Sequence, residues 1–288
     1  MKWRELRRSE NVEDRRRISG PAVAGGVGGI GLLIVLAFSL LTGADPQDLI
    51  EVIEQSGGAQ VPASEANLSA EDQERADFVA AVLGSTEDVW GQEFAENNAE
   101  YQTPSLVLFT EAVASACGNA SAAMGPFYCP ADRKVYIDLS FYQMLQERFG
   151  APGDFAQAYV IAHEVGHHIQ NLVGTSGQVE AARRSSSPAE GNELSVRLEL
   201  QADCYAGIWA RNGEEMAGML EEGDVEEAIN AAQAIGDDRL QKQSQGYVVP
   251  DAFTHGTSEQ RAAWFARGLN EGSLERCDTF GGSIDIER

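Results

Sequence analysis

The sequence predicts an α+β domain that is rich in helices, contains a small sheet and follows one N-terminal transmembrane helix. Three observations lead to this prediction. A long uncharged run lies near the N-terminus, two short strand patterns follow it, and several long helical periodicities fill the second half of the chain. With 288 residues, of which 43% are hydrophobic, the chain is long enough to bury a substantial core.

The uncharged run extends from residue 18 to residue 44, and about 20 apolar residues suffice to cross a bilayer. Residues 1–19 are rich in Arg, so we expect them to stay cytoplasmic, with a transmembrane helix at 20–43. The rest of a single-pass membrane protein of this kind would be periplasmic or extracellular. A cleaved signal peptide, with Thr42 and Ala44 as the small residues before the cut, is the alternative.

The remainder of the chain divides into a linker and one domain. Residues 44–68 mix Pro, Gly, Ser and acidic residues, as is typical of a linker, which leaves 69–288 for the domain. A capping-box pattern, Ser69-Ala-Glu-Asp72, predicts a helix that runs toward Leu83. Further predicted elements are strands at TPSLVLF around residue 107 and at KVYIDL (134–139), helices at 153–172, 192–211, 224–235 and 258–269, and a surface loop at 176–192.

The charge of the chain argues against nucleic acid as a partner. The net charge is −24, and beyond residue 19 there are 14 basic residues against 41 acidic ones. Such a surface repels phosphate groups, and the sequence has no basic patch interleaved with aromatic residues. No nucleic-acid partner is therefore expected.

The four cysteines fit an oxidising compartment, where an even count indicates two disulfides. Cys117 and Cys129 enclose a short segment rich in Gly and Ala, so we expect them to pair. Cys204 and Cys277 then pair by elimination. No two cysteines have C-x-x-C spacing, which argues against a cysteine zinc site.

The stretch YVIAHEVGHHIQ, residues 159–170, predicts a helix that carries a metal site. His163 and His167 lie four residues apart, so on a helix both imidazoles lie on one face and can bind one zinc ion. Glu164 lies on the same flank and can act as a base on a water molecule, as in the H-E-x-x-H pattern. His168 is rotated away and is interpreted as structural. Gly166 is costly inside a helix and indicates close approach by a neighbouring segment.

A second stretch, LELQAD at 198–203, supplies acidic residues at the same four-residue spacing. A zinc ion held by two histidines needs a third protein ligand if one position is to stay open for water, and Glu199 can be that ligand. Asp203 can accept a hydrogen bond from the far nitrogen of a ligating histidine. A solvated acidic face is the simpler interpretation, but the apolar neighbours of both residues argue against it.

The fourth histidine, His255, lies in FTHGTSEQR just before a predicted helix start. A hydrolase with a metal benefits from a donor that stabilises the developing oxyanion, and His255 is the candidate for this role. Arg261 is expected to orient it or to pair with a carboxylate.

The segments HEVGHH, LELQAD and FTHGTSEQR, with MKWRELRRSENVEDRR and GPFYCPAD (125–132), resemble the bacterial neutral zinc metallopeptidase family of membrane-anchored proteins. H-E-x-x-H followed by E-x-x-A-D and H-x5-R is also similar to the gluzincins, particularly the CaaX-type membrane proteases. Gly256 stands where that group usually has Pro, so its substrates cannot be transferred. The resemblance implies a zincin-like fold with His163, His167 and Glu199 as zinc ligands, Glu164 as catalytic acid and base, and supporting roles for Asp203 and His255.

The hypothesis that follows is a zinc peptidase with one Zn²⁺ per chain and a protein or peptide as substrate. The strand KVYIDL is expected to bind an extended peptide at its edge. Two alternatives stay open. The first is a membrane-tethered binding or assembly protein of the cell envelope that keeps zinc only for structure, and the second is a hydrolase of a non-protein amide such as a cell-wall cross-link.

Overall fold

The computed structural model describes residues 1–16 and 68–281, and within these ranges the chain is a helix-rich α+β protein with a small sheet, as predicted. The strands are β1 Val12–Asp14, β2 Ser105–Phe109, β3 Ala112–Ser115, β4 Gly118–Ser121, β5 Phe127–Cys129 and β6 Lys134–Asp138. The α-helices are α1 Ala70–Glu96, α2 Ser140–Glu147, α3 Asp154–Leu172, α4 Thr175–Arg183, α5 Pro188–Ala217, α6 Asp224–Ala234, α7 Asp237–Gln245 and α8 Ser258–Glu271.

The main sheet has the strand order β1-β2-β6-β5. Strands β2 and β6 run parallel, and both bury nearly every side chain, as their Val-rich and Leu-rich sequences require. The expectation that KVYIDL offers a free edge was wrong, because β6 is paired on both sides. Among the described strands, the free edge on that side belongs to β5, which runs antiparallel to β6, while β3 and β4 form a separate hairpin.

The N-terminal residues are part of this domain. Strand β1 pairs in parallel with β2, with Val12 opposite Leu106, and the Trp3 ring packs edge-on against Phe78 of α1 at 5.6 Å. Residues 1–15 thus form one compact unit with the chain from residue 68 onward. This corrects the boundary that separated 1–19 from 69–288, because a strand as short and polar as Val-Glu-Asp has no recognisable pattern of its own.

The predicted transmembrane helix at 20–43 lies outside the described residues, as does nearly all of the linker. In the part of the chain that the structure describes, no helix is long and apolar enough to cross a membrane.

All five predicted helices of the domain are present, whereas α2, α4 and α7 were not predicted. The capping box at Ser69 and Asp72 is present, although α1 continues well beyond Leu83 to Glu96. The loop expected at 176–192 is wrong, because α4 occupies Thr175–Arg183 and α5 already begins at Pro188. The run EAAR consists of good helix formers. The serines at 185–187 separate the two helices, and the last of them is the N-cap of α5.

Two disulfides and one close helix crossing hold the framework of the site. Both expected disulfides form, Cys117 with Cys129 and Cys204 with Cys277. Helices α5 and α8 touch backbone to backbone, since a Cβ at Gly268 would lie 1.9 Å from the carbonyl oxygen of Cys204. This close crossing brings the last turn of α8 against the middle of α5.

Candidate active site

Helices α3 and α5 together position a cluster of three metal-ligating side chains. His163 and His167 share one face of α3, and Glu199 faces them from α5. The two helices approach closely at Gly166, where a Cβ would lie 3.0 Å from the carbonyl oxygen of Ala202. The expectation that Gly166 marks a close approach is therefore confirmed.

The distances from the two imidazoles to the Glu199 carboxylate are compatible with one tetrahedral zinc ion. The Nε2 atom of His163 lies 3.1 Å from Glu199 Oε2, and the Nε2 atom of His167 lies 3.4 Å from Glu199 Oε1. Ligands bound tetrahedrally at about 2.0–2.1 Å from zinc are separated by roughly 3.3 Å. One atom of each residue lies within 4.8 Å of the others, so the donor set fits zinc and leaves a fourth position open.

The far nitrogen of each histidine is held by an acceptor. His163 Nδ1 lies 2.8 Å from Asp203 Oδ1, and His167 Nδ1 lies 2.9 Å from the amide oxygen of Gln170. Gln170 is fully buried, and its amide nitrogen donates to the carbonyl oxygen of Leu198. Each Nδ1–H therefore donates outward, which fixes the tautomer and leaves both Nε2 atoms available for a metal.

Asp203 is the centre of a buried polar network. Its carboxylate accepts two hydrogen bonds from the Arg261 guanidinium, at 2.8 and 3.0 Å, and one from the Tyr159 hydroxyl. Asp203 and Arg261 are almost fully buried, so neither charge is neutralised by water. Burial alone would raise the pKa of Asp203, but Arg261 and His163 outweigh it and hold that pKa below its usual range.

The carboxylates make the ligand cluster attractive to a cation. Burial opposes a charge on His163, but Asp203 and Glu199 outweigh it and raise the pKa of His163 to about 10. In Glu199 burial is outweighed by the two histidines, which hold the pKa of its carboxyl well below the ordinary value. In the absence of metal the cluster therefore retains protons, and a divalent cation that binds displaces them.

Glu164 lies beside the ligands and faces a cavity of about 720 Å³. Its side chain is nearly buried, yet its carboxylate makes no hydrogen bond to any of the described residues. Glu180, Arg183 and Val179 of α4 line the same cavity. A carboxylate without a protein partner at the wall of a cavity is available to a water molecule or a substrate.

His255 lines the same cavity but stands apart from the ligand cluster. Its Nδ1 lies 3.2 Å from Asp237 Oδ1, and the other oxygen of Asp237 accepts the backbone N–H groups of Thr254, His255 and Gly256. The hydrogen bond with Asp237 raises the pKa of His255. Asp237 therefore fixes the loop and the ring, and favours the form of His255 in which both nitrogens carry a proton. Arg261 makes no hydrogen bond to His255 in the described structure and pairs with Asp203 instead.

The third histidine of the motif, His168, points away from the cluster and is structural, as the helix geometry predicts. Its Nε2 donates to the backbone oxygen of Gln102, so its Nδ1 accepts from the Tyr128 hydroxyl at 2.9 Å. Burial lowers the pKa of His168 to about 4, which keeps the ring neutral. These contacts attach strand β5 to helix α3.

A family profile described as "Putative neutral zinc metallopeptidase" matches residues 1–280. The chain belongs to this family.

Among the relatives of the chain, the "Uncharacterized protein YpfJ" of Escherichia coli K12 is 50% identical over 99% of the chain and 100% of its own length. The "Uncharacterized protein Mb2605" of Mycobacterium bovis is 44% identical over 62% of the chain and 63% of its own length. No solved structure matches the chain.

The structure brings His163, Glu164, His167, Glu199, Asp203 and Arg261 together, with His255 across the cavity. Sequence reasoning missed Tyr159, Gln170 and Asp237. Tyr159 and Gln170 lie four residues before His163 and three after His167, so a search along that helix face for hydrogen-bonding side chains would have found them. Nothing in the local sequence connects Asp237 with His255, which lies 18 residues later.

Proposed function

We propose that the protein is a zinc-dependent peptidase that hydrolyses peptide bonds with Glu164 as its catalytic base. One observation carries the proposal. His163, His167 and Glu199 converge at zinc-ligand spacing directly beside a cavity-facing carboxylate that has no hydrogen-bond partner among the described residues. The family to which the chain belongs supports the same assignment.

The three cluster residues would hold one Zn²⁺ per chain. Zinc, when bound, would supply a Lewis acid that polarises the peptide carbonyl and lowers the pKa of water toward about 7. Asp203 and Gln170 keep the two imidazoles oriented by accepting their Nδ1 protons. The network of Asp203 with Arg261 and Tyr159 makes this orientation rigid before any ligand arrives.

Glu164 moves the protons of the reaction. Its carboxylate takes a proton from the attacking water and then delivers that proton to the departing amine. His255, whose pKa is raised by Asp237, donates from Nε2 to the carbonyl oxygen as negative charge develops there.

An extended peptide is the substrate that suits the cavity, because the edge strand β5 lines it. Phe127 and Tyr128 of β5 contribute to the wall, and the opposite side of β5 is already paired with β6. The free edge can therefore hydrogen-bond to an extended backbone, with side chains entering the cavity.

The test compares zinc content with proteolysis. The full-length chain should be purified with its disulfides intact, because a truncation before residue 68 would remove β1 from the sheet. Zinc per chain and cleavage of casein should be measured for the wild type, Glu164→Gln and, as a control, Glu180→Gln at the rim of the same cavity. We expect zinc in all three proteins and cleavage in all except Glu164→Gln.

Two results would oppose the proposal. Cleavage by Glu164→Gln would show that Glu164 is not the catalytic base. Zinc in every protein with cleavage in none would favour a tethered binding or assembly protein that keeps zinc for structure.

We also propose that residues 1–15 and the zinc-site domain occupy the same, oxidising compartment. The pairing of β1 with β2 supports a shared compartment, and the two disulfides support an oxidising one. A cytoplasmic N-terminus combined with an exported domain would require β1 to leave the sheet. Membrane attachment through residues 20–43 stays a prediction.

Labelling of introduced thiols tests this second proposal. Glu10 and Glu222 are exposed, and no described cysteine is free, so Glu10→Cys and Glu222→Cys each introduce a single reactive thiol. In intact cells, a thiol reagent that cannot cross membranes should label both variants to the same extent. Labelling of Glu222→Cys alone would instead support a single-pass topology, with residues 1–15 in the cytoplasm and the zinc-site domain outside it.

A further inference from the structure

Three basic side chains surround a small depression of about 270 Å³ at the junction of α2 and α7. Arg148 follows α2, while Arg239 and Lys242 lie one turn apart on α7, and all three are exposed. We refer to Arg148, Arg239 and Lys242 as the basic cluster.

None of the three has a carboxylate partner among the described residues. The Arg239 guanidinium donates only to the backbone oxygen of Phe149, at 3.3 Å, and Arg148 lies 5.8 Å from the Phe149 ring centroid. Neighbouring acids are engaged elsewhere, since Glu147 accepts from Gln143 and Asp238 from Ser258.

This lack of partners is notable in so acidic a chain. The chain holds 45 Asp and Glu against 21 Lys and Arg, and ion pairs such as Arg7 with Asp88 or Arg211 with Glu215 are common on its surface. Three like charges gathered at one depression repel one another, and a bound anion relieves that repulsion.

The basic cluster adjoins the active-site cavity. Phe149 and Leu240, the chain neighbours of Arg148 and Arg239, line that cavity. Phe141, Met144 and Ile235 line it as well, so this part of the cavity is apolar. The two apolar residues Phe149 and Leu240 thus separate a pocket suited to an apolar side chain from a depression suited to an anion.

We infer that the basic cluster is a subsite for a carboxylate of the peptide substrate, next to an apolar residue held in the cavity. The inference rests on the proposed peptidase function and adds a substrate class to it. The carboxylate can belong to an Asp or Glu side chain or to the C-terminus of the peptide. A bidentate arginine and a lysine are suited to either source.

The experiment uses sets of matched peptides. Each peptide carries one Phe followed by Glu or by Gln at increasing distance, with either a free or an amidated C-terminus. The kcat/KM values are measured for the wild type, Lys242→Gln, Arg148→Gln and the control Arg75→Gln, which alters an exposed arginine on α1. Peptide binding to the Glu164→Gln protein, with and without Lys242→Gln, is followed by fluorescence anisotropy, which requires no turnover.

We expect the wild type and Arg75→Gln to favour one carboxylate-bearing peptide by about tenfold, equivalent to roughly 1.4 kcal/mol. The preference should shrink in Lys242→Gln and Arg148→Gln, and in the wild type at high salt. A preference that survives amidation assigns the carboxylate to a side chain, whereas one that disappears assigns it to the C-terminus.

The outcomes separate this inference from the proposed function. Equal cleavage of all peptides would overturn the inference and leave the peptidase in place. Without any cleavage, the anisotropy measurement decides, because equal binding of the charged and neutral peptides overturns the inference and a preference lost in Lys242→Gln supports it. Binding to anionic vesicles that depends on Lys242, without a peptide preference, would also overturn it.

Discussion

Helix α3 contributes residues to two clusters of potential metal ligands among the described residues, and only one of the clusters resembles a metal site when the partners of its ligand atoms are considered. The histidine cluster consists of His163, His167 and Glu199, and the carboxylate cluster of Asp154, Asp224 and Glu227 lies at the start of the helix. In both, one ligand atom of each residue lies within 4.8 Å of the others.

The difference lies in what the ligand atoms already bind. In the carboxylate cluster, Glu227 accepts the backbone N–H of Phe155, while Asp154 and Asp224 accept from the Met1 ammonium at 2.7 and 3.3 Å. In the histidine cluster only the outward nitrogens have fixed partners outside the cluster, and the inward atoms face one another beside a cavity. For recognising a metal site, the proximity of ligand atoms is therefore a weaker criterion than the direction of the lone pairs that are not yet used in hydrogen bonds.

Matched substitutions in the two clusters should give the largest contrast. Glu199→Gln removes the only carboxylate of the histidine cluster, so we expect loss of bound zinc and of peptidase activity. Glu227→Gln should keep one zinc per chain, because the carboxylate cluster is already satisfied by N–H donors. Elemental analysis after dialysis measures the zinc content of both variants. Loss of zinc in Glu227→Gln alone would assign the zinc site to the carboxylate cluster instead of the histidine cluster.

Removal of zinc should destabilise the protein through the same cluster. A ligand at about 1,000 times its Kd stabilises the folded state by roughly 4 kcal/mol, so chelation should lower the Tm of the wild type by several degrees. Glu199→Gln should melt at the same temperature with or without chelator, and Glu227→Gln should respond like the wild type. A similar zinc response in Glu199→Gln would indicate a different ligand set.

The partner of His167 should have a smaller effect. Gln170→Leu leaves the Nδ1–H of His167 without its acceptor, and loss of such a partner typically weakens metal binding about 10- to 100-fold. Asn171→Leu is the matched control, because Asn171 donates to Tyr128 and does not contact the ligands. Competition with a zinc indicator gives both affinities, and equal values would show that Gln170 does not orient His167.

The two clusters also show which parts of the site were accessible from the sequence. His163, Glu164, His167, Glu199 and Asp203 were predictable because helical spacing of four residues determines which side chains share a face. Their partners could be inferred only with the packing known. The contact of Arg261 with Asp203 depends on the crossing of α5 and α8 at Gly268, and no local sequence pattern predicts this crossing.

The sheet was less predictable than the helices for a related reason. Strands β2 and β6 have the apolar runs of buried strands and were found. Strands β1 and β5 have three residues each, and their pairing depends on contacts across the chain. The same limitation caused β6 to be taken for a free edge and residues 1–19 to be separated from the domain.

The smallest expected effect concerns the contact that positions the histidine cluster. Gly166→Ala should gain helix propensity worth about 1 kcal/mol, but its Cβ would lie 3.0 Å from the Ala202 carbonyl oxygen, and overpacking typically costs about 1–3 kcal/mol. We therefore expect a net loss of stability of roughly 1 kcal/mol. Gly91 of α1 has no atom within 4 Å of such a Cβ, so Gly91→Ala should be stabilising.

Urea denaturation of both variants shows whether each substitution raises or lowers the free energy of unfolding. If Gly166→Ala is also stabilising, α3 and α5 can separate slightly without cost, and the spacing of the zinc ligands does not depend on this contact. If it is destabilising and also binds zinc more weakly than Gly91→Ala, the contact of Gly166 with Ala202 sets the distance between the histidines and Glu199. No equivalent dependence is expected for the carboxylate cluster, which joins the first residue of α3 to the first turn of α6.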